Sequence, residues 1–425
     1  MKKALVVGSG AGGATAAKEL QGSFDVTVLE AGKEFKPFPT RLSALEKWRK
    51  SGLFFDEREI HILFPAMRIR KTEDMVLVNG RGFGGTTTIS AGNALRVDDD
   101  LKKLGIDLEV EFEEIKEEIP ITTGHEKRWR EMTRRLFEVC QELGLSPWPT
   151  PKMGDYSKCL HCGRCILGCP RGVKWDSRQF LNLALAKGAR LVPACGVRKV
   201  VVEQGKAKGV EAKSAGRTRY FEADLIILAA GGLGTPVILE NSGISCQPTL
   251  FVDPVLCVAA EWQGAGLDSE VSMPFVVSKR DYIISPYFDY LSFFFNKRWK
   301  YPAKNILSLM IKLADSPQGS VSPAGIRKNL TPLDKVRLEE GVSVCSDILI
   351  RAGVRKNQLF LGTINAGHPG GTLPLTEQEA VSFHNPALPQ NLYVADASLF
   401  PQSLGRPPIL TIIAMAKRIS RLCLA

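Results

Sequence analysis

Four of the ten cysteines fall in one short run, which is the sharpest chemical signal in the sequence. They are Cys159, Cys162, Cys165 and Cys169, and Pro170 follows the last of them. This C-x2-C-x2-C-x3-C-P spacing is typical of bacterial ferredoxins, in which a short loop folds its thiolates around an iron–sulfur cluster. Because the sequence contains no second run of this kind, we expect a single cluster, 4Fe–4S by preference with 3Fe–4S left open.

Zinc and disulfides are the alternatives for these thiols. Structural zinc usually takes two ligand pairs separated by a dozen or more residues, so one compact run fits zinc less well. Disulfide scaffolds belong to small secreted domains, and this chain of 425 residues is far longer. We therefore expect reduced thiols and a cytoplasmic protein. Cys140 and Cys195 are outside candidates for a borrowed cluster ligand, and the other cysteines are expected to be core thiols.

A second signal is a glycine-rich turn near the amino terminus. Residues 8–13 read GSGAGG and lie between an apolar run and a helix-favouring stretch. In such a unit, Gly8 permits the tight turn, Gly10 lets the backbone approach a pyrophosphate, and Gly13 lets the helix pack closely on the strand. Glu30 ends the next β-run at about the twenty-residue distance where an acid binds a ribose hydroxyl. The pattern predicts a dinucleotide site for FAD or NAD rather than NADP.

Four stretches, in order along the chain, resemble the glucose-methanol-choline (GMC) oxidoreductases. They are LEAG at 29–32, GRGFGGTTTISAGN at 80–93, AAGGLGTP at 229–236 and NLYVADASLFP at 391–401. The resemblance implies FAD as the cofactor.

The resemblance also assigns individual cofactor contacts. The family places a glycine-rich loop against the flavin and pyrophosphate, and this loop corresponds to Gly84 and Gly85 with Asn93 as its polar contact. The carboxy-terminal stretch places Asp396 near the ribityl or pyrophosphate part of FAD.

Two catalytic positions follow from the same resemblance. Family members remove the hydroxyl proton of an alcohol with a histidine while hydride passes to the flavin, and the match falls on His368. An imidazole, with an ordinary pKa of about 6.5, is suited to this task. The second position aligns with Arg406, where relatives have asparagine or histidine. A guanidinium is no base, but it can hold a substrate carboxylate or stabilise anionic reduced flavin.

These residues predict an FAD-dependent oxidoreductase, an alcohol or hydroxy-compound dehydrogenase that passes electrons through the cluster to an external acceptor protein. A one-electron centre beside the flavin argues against a simple oxidase, since it gives the electrons a route other than oxygen. Two alternatives stay open. One is a reductase of an unsaturated or carbonyl compound fed by a ferredoxin-like donor, and the other is an electron-transfer flavoprotein subunit.

The elements that position these residues are expected to form an α/β protein, with a Rossmann-like FAD-binding domain and a discontinuous α+β substrate domain. We assign residues 1–99, 188–245 and 359–425 to the FAD-binding domain. Residues 100–187 are expected to form an iron–sulfur and cap insert, and residues 246–358 the substrate domain.

Composition limits the partners. With 44% hydrophobic and 24% charged residues the chain has globular proportions, and its apolar windows fall short of the roughly 20 residues that a membrane span requires. The net charge of +11 suits an acidic protein, an anionic substrate or peripheral contact with a membrane, and no nucleic-acid motif accompanies it. The aromatic run at 287–295 is expected to be a buried part of the substrate layer, a pocket wall, or a surface for a membrane or partner.

Overall fold

Two large sheets organise the protein in the residues that the computed structural model describes, which are 1–37, 46, 64 and 66–425. The first sheet is parallel throughout, and its neighbouring strands are, in order, Leu392–Val394, Leu225–Leu228, Lys3–Val7, Asp25–Leu29 and Arg190–Val192. The central strands are almost entirely apolar, as expected of a parallel sheet covered on both faces by helices.

Small side chains let the first helix lie close to this sheet. The helix Ala11–Leu20 packs against Arg178–Ala186 and Ile409–Leu424. A Cβ at Gly12 would lie 1.6 Å from the carbonyl oxygen of Ala395, so only glycine fits there. This parallel, helix-covered sheet confirms the prediction of an α/β fold with a Rossmann-like FAD-binding part.

The second sheet is mixed and mainly antiparallel. Its strands are, in spatial order, Met67–Lys71, Val76–Gly80, Asn365–Ala366, Pro254–Glu261, Ile306–Leu313, Tyr282–Pro286, Phe275–Ser278 and Trp148–Pro149, with Phe360–Leu361 also paired to Pro254–Glu261. The helix Pro332–Arg351 covers one face. Its first turn is fixed by a capping box, in which Thr331 and Asp334 exchange backbone and side-chain hydrogen bonds.

Smaller elements complete the described part of the chain. An antiparallel sheet contains Cys195–Glu203, Lys206–Ser214 and Arg217–Glu222, and two short ladders pair Ser320–Ser322 with Gly325–Arg327 and Ile121–Thr122 with Lys152–Met153. The remaining α-helices are Asp99–Lys103, Glu109–Glu118, Glu131–Glu142, Thr235–Asn241 and Tyr290–Phe295. Within the described residues, every helix is too short or too polar to cross a membrane.

Candidate functional site

A cavity of about 550 Å³ lies between the two large sheets. From the parallel sheet it is lined by the residues that follow the carboxyl ends of the strands, at 8–12, 30–31, 229–234 and 396–397. From the second sheet it is lined by side chains that include Lys312 and His368. Ligand cavities generally measure about 300–1,000 Å³, and open α/β sheets bind nucleotides at the carboxyl ends of their strands.

The first glycine turn forms one end of this cavity. Gly8 has φ +101°, in the region that favours glycine, and a Cβ there would lie 2.3 Å from the carbonyl oxygen of Ala229. A Cβ at Gly10 would meet no protein atom within 4 Å, and Gly10 lines the cavity. Gly13 is packed differently, because its Cβ would lie 2.1 Å from the carbonyl oxygen of Gly8. Gly10 thus leaves room for a ligand, whereas Gly13 permits close packing of the protein itself.

These two glycines give a matched prediction. Gly10→Ala is expected to leave the thermal unfolding of the apoprotein unchanged and to weaken FAD binding at least about tenfold, since the methyl group enters only ligand space. Gly13→Ala is expected to lower the free energy of unfolding by about 1–3 kcal/mol through overpacking. FAD fluorescence titration and apoprotein melting curves measure both. Equal FAD affinity in wild type and Gly10→Ala would contradict the assignment.

Glu30 lies beside this turn at the end of its strand. The buried carboxylate accepts hydrogen bonds from the Ser9 hydroxyl at 2.6 Å, from the Ser9 amide at 3.1 Å and from the Gly32 amide at 2.7 Å. These bonds fix the carboxylate, which also lines the cavity. The arrangement leaves Glu30 available to a ribose hydroxyl, the role that its sequence position predicts.

The second glycine loop lies against the first. Gly85 lines the cavity, and its Cβ would lie 3.1 Å from the Cα of Gly10. Gly84, with φ +90°, is not among the lining residues and packs instead against Arg178. Asn93 is buried, lines the cavity and donates to the sulfur of Met273.

Asp396 closes the cavity from the last strand of the parallel sheet. Its buried carboxylate accepts from the Gly231 amide at 2.8 Å, the Thr235 hydroxyl at 2.5 Å and the Ser398 amide at 2.9 Å. Burial raises the pKa of Asp396, while these hydrogen bonds act in the opposite direction. Asp396 and Glu30 therefore reach one cavity from distant parts of the sequence.

His368 lines the part of the cavity formed by the second sheet, and beside it lie two residues that sequence reasoning missed. Asp253 precedes one central strand and is fully buried, and Lys312 lies in the neighbouring strand. The Lys312 Nζ is 2.8 Å from Asp253 Oδ2, and the His368 Nδ1 is 3.6 Å from the same oxygen. A charged lysine in an otherwise buried and largely apolar strand was the signal available in the sequence.

Burial and neighbouring charges shift the pKa values of Asp253, Lys312 and His368. Burial by itself would raise the pKa of Asp253, but Lys312 and His368 hold it down at about 2. Burial lowers the pKa of Lys312, with Asp253 acting in the opposite direction. Burial and then Lys312 also lower the pKa of His368 from its ordinary value. The arrangement thus favours a neutral imidazole beside a charged Lys312–Asp253 pair.

Arg406 is placed less centrally. It is partly exposed, and the cavity is lined by its neighbours Pro407 and Pro408 rather than by Arg406 itself. The role of Arg406 toward an anionic group stays a prediction.

All four cysteines of the ferredoxin-like run line a second, smaller cavity, together with Tyr156 and Lys174. All ten cysteines of the chain are free thiols. In the described part of the chain, no three His, Cys, Asp or Glu side chains converge closely enough to hold a single metal ion. The four thiols are therefore distributed around a shared space.

The short turn Cys165–Leu167 separates the two cavities. Cys165 lines the cysteine cavity, whereas Ile166 and Leu167 line the large cavity. The turn also packs against the 3-10 helix Gly85–Ile89 of the second glycine loop.

Two buried lysines donate hydrogen bonds to residues that line the large cavity. Lys174 donates to the carbonyl oxygens of Thr87, Thr88 and Ser90 at 2.8, 2.9 and 3.1 Å, and Lys152 donates to the side chain of Asn93. Among the described residues, neither ammonium has a carboxylate within ion-pair distance. Burial lowers the pKa of Lys174, while Asp176 and then nearby cysteines act in the opposite direction. Burial also lowers the pKa of Lys152 to about 7, again with nearby cysteines acting in the opposite direction. An anionic group in the cysteine cavity would therefore stabilise both charges.

The aromatic run forms part of the cavity wall. Tyr287, Tyr290 and Phe294 line the large cavity, and Phe288 and Phe293 are buried behind them. The aromatic run is thus buried in part and forms part of a cavity wall, and its role toward a substrate stays a prediction.

Comparisons with known proteins agree with this geometry. The family model described as GMC oxidoreductase matches residues 2–257. An uncharacterized protein of Methanocaldococcus jannaschii is 26% identical over 98% of both chains. A long-chain-alcohol oxidase of Arabidopsis thaliana is 25% identical, covering 98% of this chain and 66% of the relative.

Solved structures support the same fold. A pyridoxine 4-oxidase from Mesorbium loti superposes with a TM-score of 0.72 at 16% identity, over 99% of both chains. A formate oxidase variant of Aspergillus oryzae, studied for modification of its FAD, gives a TM-score of 0.71 at 15% identity, over 99% of this chain and 97% of the oxidase.

Proposed function

This chain is an FAD-dependent oxidoreductase of the GMC family, and from that premise we propose that it oxidises the hydroxyl group of an apolar alcohol and delivers the electrons through an iron–sulfur cluster to a separate protein. The observation that carries this proposal is the Cys165–Leu167 turn, which lines the cysteine cavity with its first residue and the large cavity with the next two. Two redox groups in these cavities would be separated by little more than one turn of the chain.

The space left at the glycines of the large cavity fits FAD. Gly10 leaves open space where any side chain would intrude, and Ala11 and Gly12, at the start of the helix that follows, line the same cavity. Amides at a helix start have no partner within the helix and can bind a phosphate. In this proposal Gly8 and Gly10 hold the pyrophosphate and Glu30 the adenine ribose, while Asp396, Gly85 and Asn93 contact the central part of the cofactor. Gly84 and Gly13 support the loops from behind. When bound, FAD supplies a hydride acceptor.

His368 is the proposed base. It takes the hydroxyl proton of the alcohol while the carbon loses a hydride, so the substrate leaves as a carbonyl compound after a two-electron oxidation. The neutral imidazole favoured by burial is the form that accepts a proton. Arg406 is proposed to stabilise negative charge near the reacting groups from the adjoining loop.

The donor set of the smaller cavity fits an iron–sulfur cluster. Cys159, Cys162, Cys165 and Cys169 provide four thiols around one space, which is the ligand set of a 4Fe–4S cluster. Lys174 lines the same space, and its positive charge would offset the negative charge of a cluster held by four thiolates. The cluster would supply one-electron transfer.

The substrate class follows from the wall of the large cavity. Tyr287, Tyr290, Leu291, Phe294 and Met310 provide an apolar surface there. This surface favours an aliphatic or aromatic alcohol, and it agrees with the long-chain alcohols named for the plant relative.

Anaerobic mixing with alcohols tests this assignment. A series from ethanol to dodecanol, with benzyl alcohol, is expected to bleach the flavin absorbance, with the rate rising as the apolar part grows. Bleaching by none of these, combined with reoxidation of reduced flavin by an enone or aldehyde, would support a reductase instead. Absence of both reactions would indicate an electron-transfer subunit.

The surface above the cysteine cavity is proposed to bind an acidic electron-carrier protein. Leu160 is 59% exposed, and Lys158 and Arg171 are exposed on the same loop. Arg128, also exposed, donates to the carbonyl oxygen of Cys159 at 2.6 Å. An apolar centre bordered by cations suits an acidic partner.

A charge reversal tests this surface. Arg171→Glu is expected to lower the rate of electron transfer to a purified acidic plant-type ferredoxin about tenfold at low salt, since steering depends on charge. Reduction of a small dye acceptor should be unchanged. Arg217→Glu, at an exposed site on the small antiparallel sheet, is the control. An equal loss in both variants would contradict the proposed surface.

We propose the division into FAD-binding, insert and substrate domains that the sequence predicts, and one observation bears on the bounds of its first segment. The hairpin of Met67–Lys71 and Val76–Gly80 falls within residues 1–99, yet it pairs with the second sheet.

The free state of all ten cysteines favours a reducing compartment such as the cytoplasm.

A further inference from the structure

The imidazole of His368 faces a carboxylate to which it is not hydrogen-bonded. Its Nδ1 is 3.6 Å from Asp253 Oδ2, beyond hydrogen-bond distance. This nitrogen is buried and has no hydrogen-bond partner among the described residues. Among the described residues, His368 is held by its backbone amide, which donates to the carbonyl oxygen of Val252 at 3.3 Å.

The carboxylate of Asp253 is already occupied by other donors. Lys312 Nζ donates to Oδ2 at 2.8 Å, while Oδ1 accepts from the Ser403 hydroxyl at 2.5 Å and from the amides of residues 404–405 at 3.2 and 3.1 Å. Lys312 and His368 therefore face the same oxygen atom, and only the ammonium lies within hydrogen-bond distance of it.

We propose that Asp253 stabilises and orients the imidazolium that His368 becomes in catalysis, and that Lys312 holds this carboxylate away from the ring until the proton has been taken. This inference rests on the proposed role of His368 as base. A new positive charge on the ring attracts Asp253 Oδ2 and repels Lys312 Nζ, so the oxygen passes from the ammonium to the Nδ1 proton. Lys312 lines the large cavity, so its side chain is not enclosed by protein on every side. Asp253 and Lys312 are positioning residues in this scheme.

A second buried ion pair directly behind the first provides a matched control. Lys328 Nζ is 2.7 Å from Asp315 Oδ2, and both side chains are fully buried. The Ser403 hydroxyl contacts Asp253 and Asp315 alike. Lys328 does not line the large cavity, so it shares the burial of Lys312 and not its place beside His368.

The charged groups near the ring predict opposite effects for the two partners. Lys312→Met removes a cation and frees Oδ2 for Nδ1, and both changes raise the pKa of His368, by about one unit or more. Asp253→Asn removes the only carboxylate at the ring among the described residues and lowers that pKa. Because the neutral ring is the active form, the acid limb of kcat/KM moves to higher pH in Lys312→Met and to lower pH in Asp253→Asn. Lys328→Met destabilises the fold and leaves the acid limb of kcat/KM at its wild-type pH.

The experiment combines NMR titration of the histidines in the holoenzyme with pH profiles of kcat/KM. The chain has five histidines, and His368→Asn identifies the resonance of interest. Opposite shifts in the two variants, matched by the acid limbs, support the inference. An unchanged ring pKa in Lys312→Met, or an equal shift in Lys328→Met, overturns it.

Two further outcomes keep the test decisive. If the pKa of the His368 ring shifts as expected but the acid limb of kcat/KM does not, His368 is not the base. The proposed effect of Asp253 and Lys312 on the ring is still supported in that case. Should a single variant not fold, the double variant Asp253→Asn with Lys312→Met leaves no unpaired buried charge. It should show a reduced kcat with an acid limb still below about pH 6.5, the ordinary histidine value. A limb above that value overturns the inference.

Discussion

Replacement of Cys165 by serine is expected to remove the cluster from the purified protein, reducing about four irons per chain to fewer than about one. Of the four cysteines in the run, Cys165 is the one followed directly by residues that line the large cavity, so its loss breaks the proposed link between the redox groups. Electron delivery to a ferredoxin should fall to background. Alcohol should still bleach the flavin, because the large cavity retains its lining. Iron and sulfide assays together with stopped-flow absorbance measure these effects.

Cys246→Ser is the matched control. Cys246 is also a partly buried free thiol, and it lies outside the cysteine cavity. Burial raises its pKa to about 12, as expected of an inert thiol. This variant should keep iron, sulfide and electron delivery. A Cys165→Ser protein with full iron content and unaltered delivery to ferredoxin would refute the ligand assignment.

Replacement of His368 by asparagine is expected to slow flavin reduction by alcohol about 10²- to 10⁴-fold, the range that a general base contributes. The amide can still occupy the space of the ring but cannot take the proton at neutral pH. FAD content should be unchanged, because the proposed cofactor contacts lie elsewhere in the cavity. Anaerobic single-turnover rates at saturating alcohol give the measurement.

His384→Asn tests whether such a loss is specific. The His384 ring is partly buried, contacts the carbonyl oxygen of Pro389 at 3.0 Å and lies outside the large cavity. This variant should reduce its flavin at the wild-type rate. A loss of less than about tenfold in His368→Asn would assign proton removal to another group.

The convergence of Gly10 and Glu30 on one cavity was predictable because its signals are local. A glycine turn after a buried strand, and an acid at the end of the next strand, fix positions within one βαβ unit whatever the rest of the chain does. Glu30 and Gly10 accordingly line one cavity. The resemblance added Asp396, which reaches the same cavity from the last strand of the sheet.

The charged group around His368 was not predictable in this way. Asp253, Lys312 and His368 come from separate segments, and only the pairing of two long strands brings the first two together. Their signal is weak in the sequence, where Lys312 is one charged residue within the apolar strand Ile306–Leu313. Charge compensation of this kind depends on tertiary pairing, which sequence periodicity does not encode.

The cysteine run shows an intermediate case. Its spacing predicted that the thiols of Cys159 and Cys169 would face a common space, and they do line one cavity. The position of that cavity next to the large one depends on Ile166 and Leu167, whose contacts no spacing rule predicts. The spacing of the cysteines thus predicted a shared space, and the fold determined which cavity lies beside it.

The most direct test of the account is a combined cofactor measurement on protein purified without oxygen, in which FAD, iron and sulfide are assayed together with the paramagnetic resonance spectrum after addition of alcohol. We predict one FAD with about four irons and four sulfides per chain, and a reduced-cluster signal that appears as the flavin bleaches. FAD without iron, even after anaerobic cluster reconstitution, would contradict it and leave a GMC enzyme whose flavin passes electrons directly to its acceptor.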